Sequence, residues 1–401
     1  MTSIAARPVE AAASAEIATA IPAAAWKTLR VSHSSHRPDG DDDKLIQPST
    51  ESGEGQKYFS SLWIGVDAFF VLSGFLIGGI LLEQRQTPNL FRVFYLRRTL
   101  RIFPPYFLLL GCWLVTLRFA NAPGMDWLLE PGLPMLPYFG YLQNFWMAHV
   151  GSFGPMFVAA TWSLAVEEQF YLVLPLLLRL TPVRLVPFGI GLGILAPPIL
   201  RFTMALRGEE WKQAISVLLP LRWDSLLVGV LVAWVVREGR ALNWWRAHRR
   251  AGLSAFMVLS SWMAALPLLL NVSDWILSPW RSLVVHTSIA FFFGTMILLL
   301  QAGTLPGLSG VLSTSVLRYF GKVSYFLYLF HTPFLGLTFV VMLGKAPALA
   351  GALDWVVMAL SVLLCLAAAN VSWRWMEEPL VAFGHRFSYA RSTTEGTVSS
   401  V

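Results

Sequence analysis

Long apolar segments separated by short polar loops dominate the chain from residue 62 onward. We place nine segments near 62–82, 102–120, 160–178, 185–203, 214–236, 252–270, 282–301, 323–343 and 354–373. At about 1.5 Å per residue, a helix of about 20 residues crosses a hydrocarbon core about 30 Å thick. The pattern predicts an all-α fold, a polytopic transmembrane helical bundle of about nine spans.

Composition supports the membrane assignment. Apolar residues make up 56% of the 401 and charged residues 13%, about half the charged share of a soluble domain. The net charge of +7 would suit nucleic acid, but the basic residues lie in short loops between the segments. That placement indicates membrane topology and predicts a lipid bilayer, not nucleic acid, as the partner.

The distribution of Lys and Arg predicts the orientation. Seventeen of them fall in loops on the side that carries Arg97, Arg98 and Arg101, and six fall in the opposite loops. By the positive-inside rule the arginine-rich side and the C-terminus are cytoplasmic. We therefore expect a multi-pass protein of the cytoplasmic or inner membrane.

Residues 1–61 differ in composition from the rest of the chain. An Ala-rich stretch is interrupted by Glu16 and Pro22, and the residues after it are rich in Ser, Asp, Gly and Glu. We predict a solvated N-terminal tail over 1–61, a membrane domain over 62–385 and a short polar tail over 386–401. The two cysteines, Cys112 and Cys365, lie in apolar segments and predict neither a disulfide nor a metal site.

Ionisable residues inside membrane spans are functional candidates because burying them is costly. Glu167 and Glu168 lie in TWSLAVEEQFYLVLP (161–175), close to Trp162. We expect one carboxylate to face a polar cavity and the other an arginine or water. A structural ion pair at the membrane edge is the alternative.

Two other segments carry intramembrane polar groups. Arg222 and Asp224 are two residues apart, a spacing that does not favour mutual contact on a helix, so each is expected to pair with another span. His331 lies three residues after Tyr328, on the same helix face. A lone intramembrane histidine is more often a hydrogen-bonded core residue than a catalyst.

The arginines between the first two apolar segments allow two interpretations. Arg98 and Arg101 are three residues apart, so a helix would place both on one face. Guanidinium groups bind phosphate through paired N–H donors, which predicts an anion site. The alternative is a purely topological positive charge.

Six segments in a fixed order carry a resemblance to a known family. They are GVDAFFVLSGFLI (65–77), FYLRRTLRIFPPY (94–106), TWSLAVEEQFYLVLP (161–175), RWDSLLVG (222–229), GKVSYFLYLFHTP (321–333) and RWMEEP (374–379). Together they resemble acyltransferase family three, the membrane O-acyltransferases that include O-antigen, peptidoglycan and antibiotic-sugar acylases. The resemblance covers about residues 61–385.

The resemblance implies transfer of an acyl group, usually acetyl, from cytoplasmic acyl-CoA to a hydroxyl of a glycan, lipid-linked sugar or glycosylated small molecule. Acyl-CoA is then a co-substrate, and no cofactor is bound permanently. The family's pattern assigns the donor site to Arg98 and Arg101, with Ser73 and Gly74 beside it. It assigns the transfer site to Glu167 and Glu168.

The sequence also offers candidates for substrate contacts. The candidates are the polar or aromatic side chains Trp162, Asn144, Arg222, Asp224 and His331. Asn144 lies in an outer loop rich in aromatic residues, a composition that suits either sugars or an interfacial belt. We rate the belt the better interpretation of that loop.

The sequence departs from the family at its first span, where the family has an arginine and, after ten intervening residues, a catalytic histidine. Arg30 matches the arginine, but Asp41 stands at the histidine position, and the nearest histidines are His33 and His36. His33 is the candidate for a displaced catalytic histidine in a disrupted first span. The alternatives are a catalytically inactive relative and a small-anion transporter or partner protein.

Overall fold

The structure, a computed structural model, describes residues 53–121, 123–129, 134–208, 211–269 and 278–390, with side chains from residue 64 and without those of 267–269. Every regular element in these ranges is helical. The long helices are α1 (Gly53–Gln84), α2 (Leu90–Thr116), α6 (Thr161–Leu180), α7 (Val186–Ala205), α9 (Trp223–Arg237), α11 (Arg249–Leu269), α12 (Pro279–Gln301), α14 (Ser315–Leu343) and α15 (Ala352–Ser372).

Shorter helices connect them. These are α3 (Asp126–Leu129), α4 (Leu136–Phe139), α5 (Gln143–Val150), α8 (Lys212–Val217), α10 (Gly239–Ala247), α13 (Pro306–Leu312) and α16 (Glu378–His385). Six stretches of the described chain are helical and apolar enough to cross a membrane by length and composition: Ile64–Gln84, Leu90–Phe119, Val183–Ala205, Pro279–Gln301, Ser315–Leu343 and Ala352–His385. The predicted all-α polytopic membrane fold is confirmed.

Each of the nine predicted apolar segments overlaps one of the long helices, but the ends differ. α1 begins at Gly53, inside the predicted tail, and α2 begins at Leu90, twelve residues before the predicted span. Helical hydrogen bonding can continue through polar residues once an apolar core has fixed the helix, so hydropathy marks the membrane portion and not the helix end.

The segment predicted over 214–236 is not one helix. α8 ends at Val217, Leu218 adopts an extended conformation, and α9 begins only at Trp223. Pro220 lies in this break, and proline lacks the N–H that a helix interior needs. The break places Arg222 directly before the first turn of α9.

α1 and α9 pack against each other along the centre of the bundle, and α6, α7 and α12 surround them. Several of their apolar side chains are completely enclosed, among them Phe70, Val71, Leu226 and Val230. Helices in a membrane associate through close packing and interhelical hydrogen bonds. The polar side chains described below are held at this centre.

Three arginines tie the helix ends together on one side of the bundle, which we call the basic end. The guanidinium of Arg85 donates to the carbonyl of Thr181 at 2.5 Å, and that of Arg179 donates to the carbonyls of Arg85 and Thr87. Arg237 donates to the carbonyl of Gly79 at 3.0 Å. α1, α6 and α9 therefore end at a common level.

The first residues of the predicted C-terminal tail pack against α2. Arg97 donates twice to the carbonyl of Phe387, at 2.7 and 3.1 Å. The Asn89 side chain donates to the carbonyl of Ser388 and accepts from the N–H of Ala390. Burial raises the pKa of the Tyr389 phenol, so this ring is neutral where it lies 5.1 Å from the Arg97 guanidinium. The segment 387–390 is thus part of the folded unit.

Candidate active site

Three side chains from two helices form a hydrogen-bonded chain around Glu167. Tyr171, one helical turn after Glu167 on α6, donates its hydroxyl proton to Glu167 Oε1 at 3.0 Å. Ser73 of α1 hydrogen-bonds to the same tyrosine oxygen. Because Tyr171 has only one hydroxyl proton, Ser73 is the donor in that bond. This chain fixes Glu167, which is 2% exposed, against α1.

Arg98 of α2 lies next to the ring of Tyr171. The Arg98 guanidinium is 5.9 Å from the centre of the Tyr171 ring, a distance at which a cation is attracted to an aromatic face. Its charge also acts on the carboxylate of Glu168. Glu168 is partly exposed, and its Oε1 has no hydrogen-bond partner among the described side chains and backbone. Arg98 is thus brought beside the paired carboxylates.

Helix geometry gives the depth of this site. Glu167 lies thirteen residues before the basic end of α6, about 20 Å along the axis at about 1.5 Å per residue. Arg98 lies eight residues after the start of α2, about 12 Å by the same measure. Arg101, one turn further along α2, is exposed at its side chain. The candidate site therefore lies well inside the bundle and not at its surface.

A side chain at position 74 would point toward α9 and not into open space. A Cβ at Gly74 would lie 1.9 Å from the carbonyl oxygen of Leu226. The structure therefore gives Gly74 a packing role, while its neighbour Ser73 takes part in the polar network. A direct contact of Gly74 with the donor stays a prediction.

A second polar cluster lies deeper in the bundle and is completely enclosed. Asp67 of α1 accepts from Arg222 at 2.9 Å and from Ser225 at 2.7 Å through Oδ1. Its Oδ2 lies 2.9 Å from His286 Nδ1 on α12. Arg222 Nη1 also contacts the His286 ring nitrogens at 2.7 and 2.8 Å. This arrangement joins three helices through buried charges.

A third cluster pairs Asp224 with Arg201 of α7. The two side chains form a bidentate ion pair at 2.8 and 3.2 Å, and both are 0% exposed. Thr287 donates to Asp224 at 2.6 Å. The prediction that Arg222 and Asp224 each pair with another span is confirmed. Because both charges are neutralised inside the bundle, their role as substrate contacts stays a prediction.

The other three candidate substrate residues are also held by internal contacts. Trp162 packs with its ring 5.8 Å from the Arg222 guanidinium. His331 Nδ1 lies 2.7 Å from the carbonyl of Tyr328. Asn144 is 0% exposed and exchanges two amide hydrogen bonds with Gln169, at 2.9 and 3.2 Å. Contact of these three residues with an acceptor sugar stays a prediction.

His33 and the remnant around Arg30 lie outside the described residues, so the structure does not place the candidate histidine. Among the described residues, no group of three or more His, Cys, Asp or Glu side chains is arranged to hold a metal ion. Cys112 and Cys365 are free thiols.

The sequence reasoning missed Tyr171, Arg201 and His286. Tyr171 had a local signal, since it follows Glu167 by four residues and therefore shares its helix face. For Arg201 and His286, the only signal in the sequence was a charged or imidazole side chain inside an apolar segment. Their partners lie 23 and 219 residues away along the chain, and no local spacing connects them.

Comparisons with known proteins agree with the motifs. The acyltransferase domain family matches residues 32–374. The peptidoglycan O-acetyltransferase OatA of Listeria monocytogenes is 27% identical over 340 residues, which are 79% of this chain and 51% of that protein. The O-acetyltransferase OatA of Staphylococcus aureus is 23% identical over 341 residues, 81% of this chain and 53% of that protein.

This chain spans about half the length of the curated relatives that it matches. No solved structure is significantly similar to it. The family match covers most of the chain and includes all of the residues that form the polar network around Glu167. The protein belongs to the acyltransferase domain family, as its six ordered motifs predicted.

Proposed function

We propose that this chain is an integral-membrane O-acetyltransferase that moves an acetyl group from cytoplasmic acetyl-CoA to a hydroxyl of a glycan. Membership of the acyltransferase domain family supports the reaction class. The Listeria relative is a peptidoglycan O-acetyltransferase, and this similarity supports a carbohydrate acceptor. A lipid-linked sugar or a glycosylated small molecule would present the same hydroxyl chemistry.

The observation that carries the proposal is the convergence of motif residues from three helices. Ser73 of α1, Glu167 and Glu168 of α6 and Arg98 of α2 meet around Tyr171. They come from segments more than twenty residues apart in sequence. An arginine can bind a phosphate of the donor, and a nearby carboxylate can accept a proton, two roles that acyl transfer from a phosphorylated donor can use.

The proposed reaction needs a base and a site for the donor. The acceptor hydroxyl gives its proton to the base, and its oxygen bonds to the thioester carbonyl carbon while the carbon–sulfur bond breaks. CoA leaves as a thiolate, which takes up a proton. Glu168 is the carboxylate best placed to accept the acceptor's proton, since Glu167 is held by Tyr171. His33, the candidate for a displaced counterpart of the family's histidine, is the other candidate base.

Arg98 and Arg101 are proposed to engage the donor from the basic end. The count of basic residues on that side supports a cytoplasmic location, where acyl-CoA is available. Arg98 lies deeper and closer to the carboxylates than Arg101. We assign Arg98 to a phosphate of the bound donor and Arg101 to the entry of the donor.

The test uses the purified chain in detergent with labelled acetyl-CoA and soluble peptidoglycan fragments. We expect saturable donor binding and release of free CoA thiol that depends on the acceptor. Arg98→Gln should weaken donor binding by about tenfold or more, because charge-assisted hydrogen bonds contribute about 1.5–3 kcal/mol each. Arg92→Gln, an exposed arginine of the same helix, is the matched control.

Absence of both donor binding and acceptor-dependent thiol release in the wild-type chain would rule out the proposed activity. Equal donor affinity in Arg98→Gln and Arg92→Gln would not exclude the activity. It would show that Arg98 does not bind the donor and serves only as a positive charge that sets the membrane topology.

A further inference from the structure

A buried arginine at the basic end has no acidic partner among the described residues. Arg85 is 9% exposed, and its guanidinium donates to the carbonyl of Thr181. Its Nε has no acceptor in the described part of the chain. Arg179 contacts the carbonyl of Arg85 and brings a second positive charge to the same place. Burying a cation without a counter-charge is strongly unfavourable, so this position favours an anion.

Arg85 lines a cavity of about 140 Å³ between the basic ends of α1, α7 and α9. Its walls are Leu82, Arg85, Val183, Val186, Trp234, Arg237 and Glu238. Within this lining the Arg237 guanidinium is paired with Glu83 at 3.1 Å, and Glu238 lies 3.8 Å from Arg240. Arg85 itself forms no ion pair with a described carboxylate, although the half-exposed Glu238 also lines the cavity.

The position of the cavity indicates an amphiphilic ligand. Val183, at its mouth, is 61% exposed, and the flanking Leu180 and Leu185 are 72% and 54% exposed. Exposed apolar side chains at the end of a membrane helix mark a surface that contacts lipid. An anion seated at Arg85 would therefore lie beside lipid hydrocarbon.

The helix that follows α9 supports a membrane-surface location for the cavity. α10 (Gly239–Ala247) carries exposed Arg240 and Arg246 and a half-exposed Trp244, while Leu242 is buried against the bundle. Short helices with tryptophan and arginine beside a buried apolar residue lie in the interface between headgroups and acyl chains.

We propose that this cavity binds the phosphate of an anionic phospholipid from the surrounding leaflet. Arg85 supplies the buried guanidinium, which recognises phosphate through its forked N–H donors, and Arg237 lies at the rim. Leu82 and Val183 contact the first carbons of the lipid chains. Basic pockets between helix ends on the cytoplasmic side are suited to such headgroups. The site is separate from the Glu167 network.

The test measures phosphatidylglycerol retention by native mass spectrometry of the detergent-purified chain, with phosphatidylcholine as the neutral comparison. Val183→Glu places a negative charge on an exposed wall of the cavity without removing an internal hydrogen bond. Leu185→Glu is the matched control, because Leu185 is 54% exposed in the same turn but does not line the cavity. Arg85→Gln removes the buried cation, and Arg85→Lys retains it.

We expect wild type and Leu185→Glu to retain phosphatidylglycerol over phosphatidylcholine. Val183→Glu and Arg85→Gln should bind phosphatidylglycerol at least about fivefold more weakly than wild type, because one interfacial charge typically changes lipid affinity by that much. The affinity of Arg85→Lys should lie between those of wild type and Arg85→Gln. Equal retention of phosphatidylglycerol in Val183→Glu and Leu185→Glu would overturn the proposal. Displacement of the lipid by millimolar inorganic phosphate or coenzyme A would also overturn it and would assign the site to a soluble anion.

Discussion

Gly74 and Gly229 lie against each other where α1 crosses α9, so closely that neither position has room for a methyl group. A Cβ at Gly229 would lie 2.1 Å from the carbonyl oxygen of Val71 and 2.9 Å from the carbonyl carbon of Gly74. Small residues at such crossings let helix backbones approach within a membrane. This contact holds Ser73, the neighbour of Gly74, at the level of Tyr171.

Gly74→Ala should destabilise the protein, because the new methyl group would meet the backbone of Leu226, which cannot move aside as a flexible side chain would. Overpacking of this kind costs about 1–3 kcal/mol. The apparent melting temperature in detergent measures it. Gly79→Ala on the same helix, where a Cβ would have no neighbour within 4 Å, is the control and should be neutral. Equal melting temperatures with weaker donor binding in Gly74→Ala would instead support direct contact with the donor.

Tyr171→Phe should reduce acetyl transfer while leaving the fold intact. The substitution removes the hydroxyl that links Ser73 to Glu167 and keeps the ring beside Arg98. Loss of positioning in a reaction site can cost about tenfold to hundredfold in rate. Steady-state kinetics should show the loss in kcat, with little change in donor KM.

The matched control for Tyr171→Phe is Tyr319→Phe. Tyr319 also uses its hydroxyl, accepting from Asn370 at 2.5 Å, but it lies outside the candidate site. Ser73→Ala should reproduce part of the Tyr171→Phe effect. Full activity in both Tyr171→Phe and Ser73→Ala would show that the hydrogen-bonded chain has no part in catalysis.

Asp67→Asn should strongly destabilise the bundle. It leaves the buried Arg222 guanidinium without its carboxylate partner, a change that costs about 3–5 kcal/mol in buried pairs. Glu83→Gln on the same helix is the control, since its pair with Arg237 is partly exposed and contributes about 0–1 kcal/mol. A stable Asp67→Asn variant with a raised acceptor KM would point to substrate contact at Arg222.

His33→Ala and His36→Ala test whether the catalytic base is His33 or Glu168. If His33 is the displaced catalytic histidine, its replacement should abolish acceptor-dependent CoA release, and replacement of His36 should not. Glu168→Gln tests the other candidate base in the same assay. Wild-type rates in both histidine variants, with loss in Glu168→Gln, would place proton transfer at the carboxylate.

Sequence alone was sufficient for the fold class, the approximate membrane segments and the family. A continuous apolar run of about twenty residues has few stable conformations other than a membrane helix, because every backbone hydrogen bond must be formed within the segment when it lies in lipid. The six motifs identified the family because they occur in one order. Helix ends and the break before Arg222 were not predictable from hydropathy. They depend on Pro220 and on packing.

Tertiary structure alone decided which polar groups meet. Glu167 was a candidate from the sequence, but its attachment to α1 through Tyr171 and Ser73 depends on residues 98 positions apart. Arg222 needed a partner because a buried charge must be compensated, yet nothing local identified Asp67, 155 residues away. The energetic cost of burial determines that a partner exists, whereas the crossing of α1 with α9, made possible by Gly74 and Gly229, determines which partner it is.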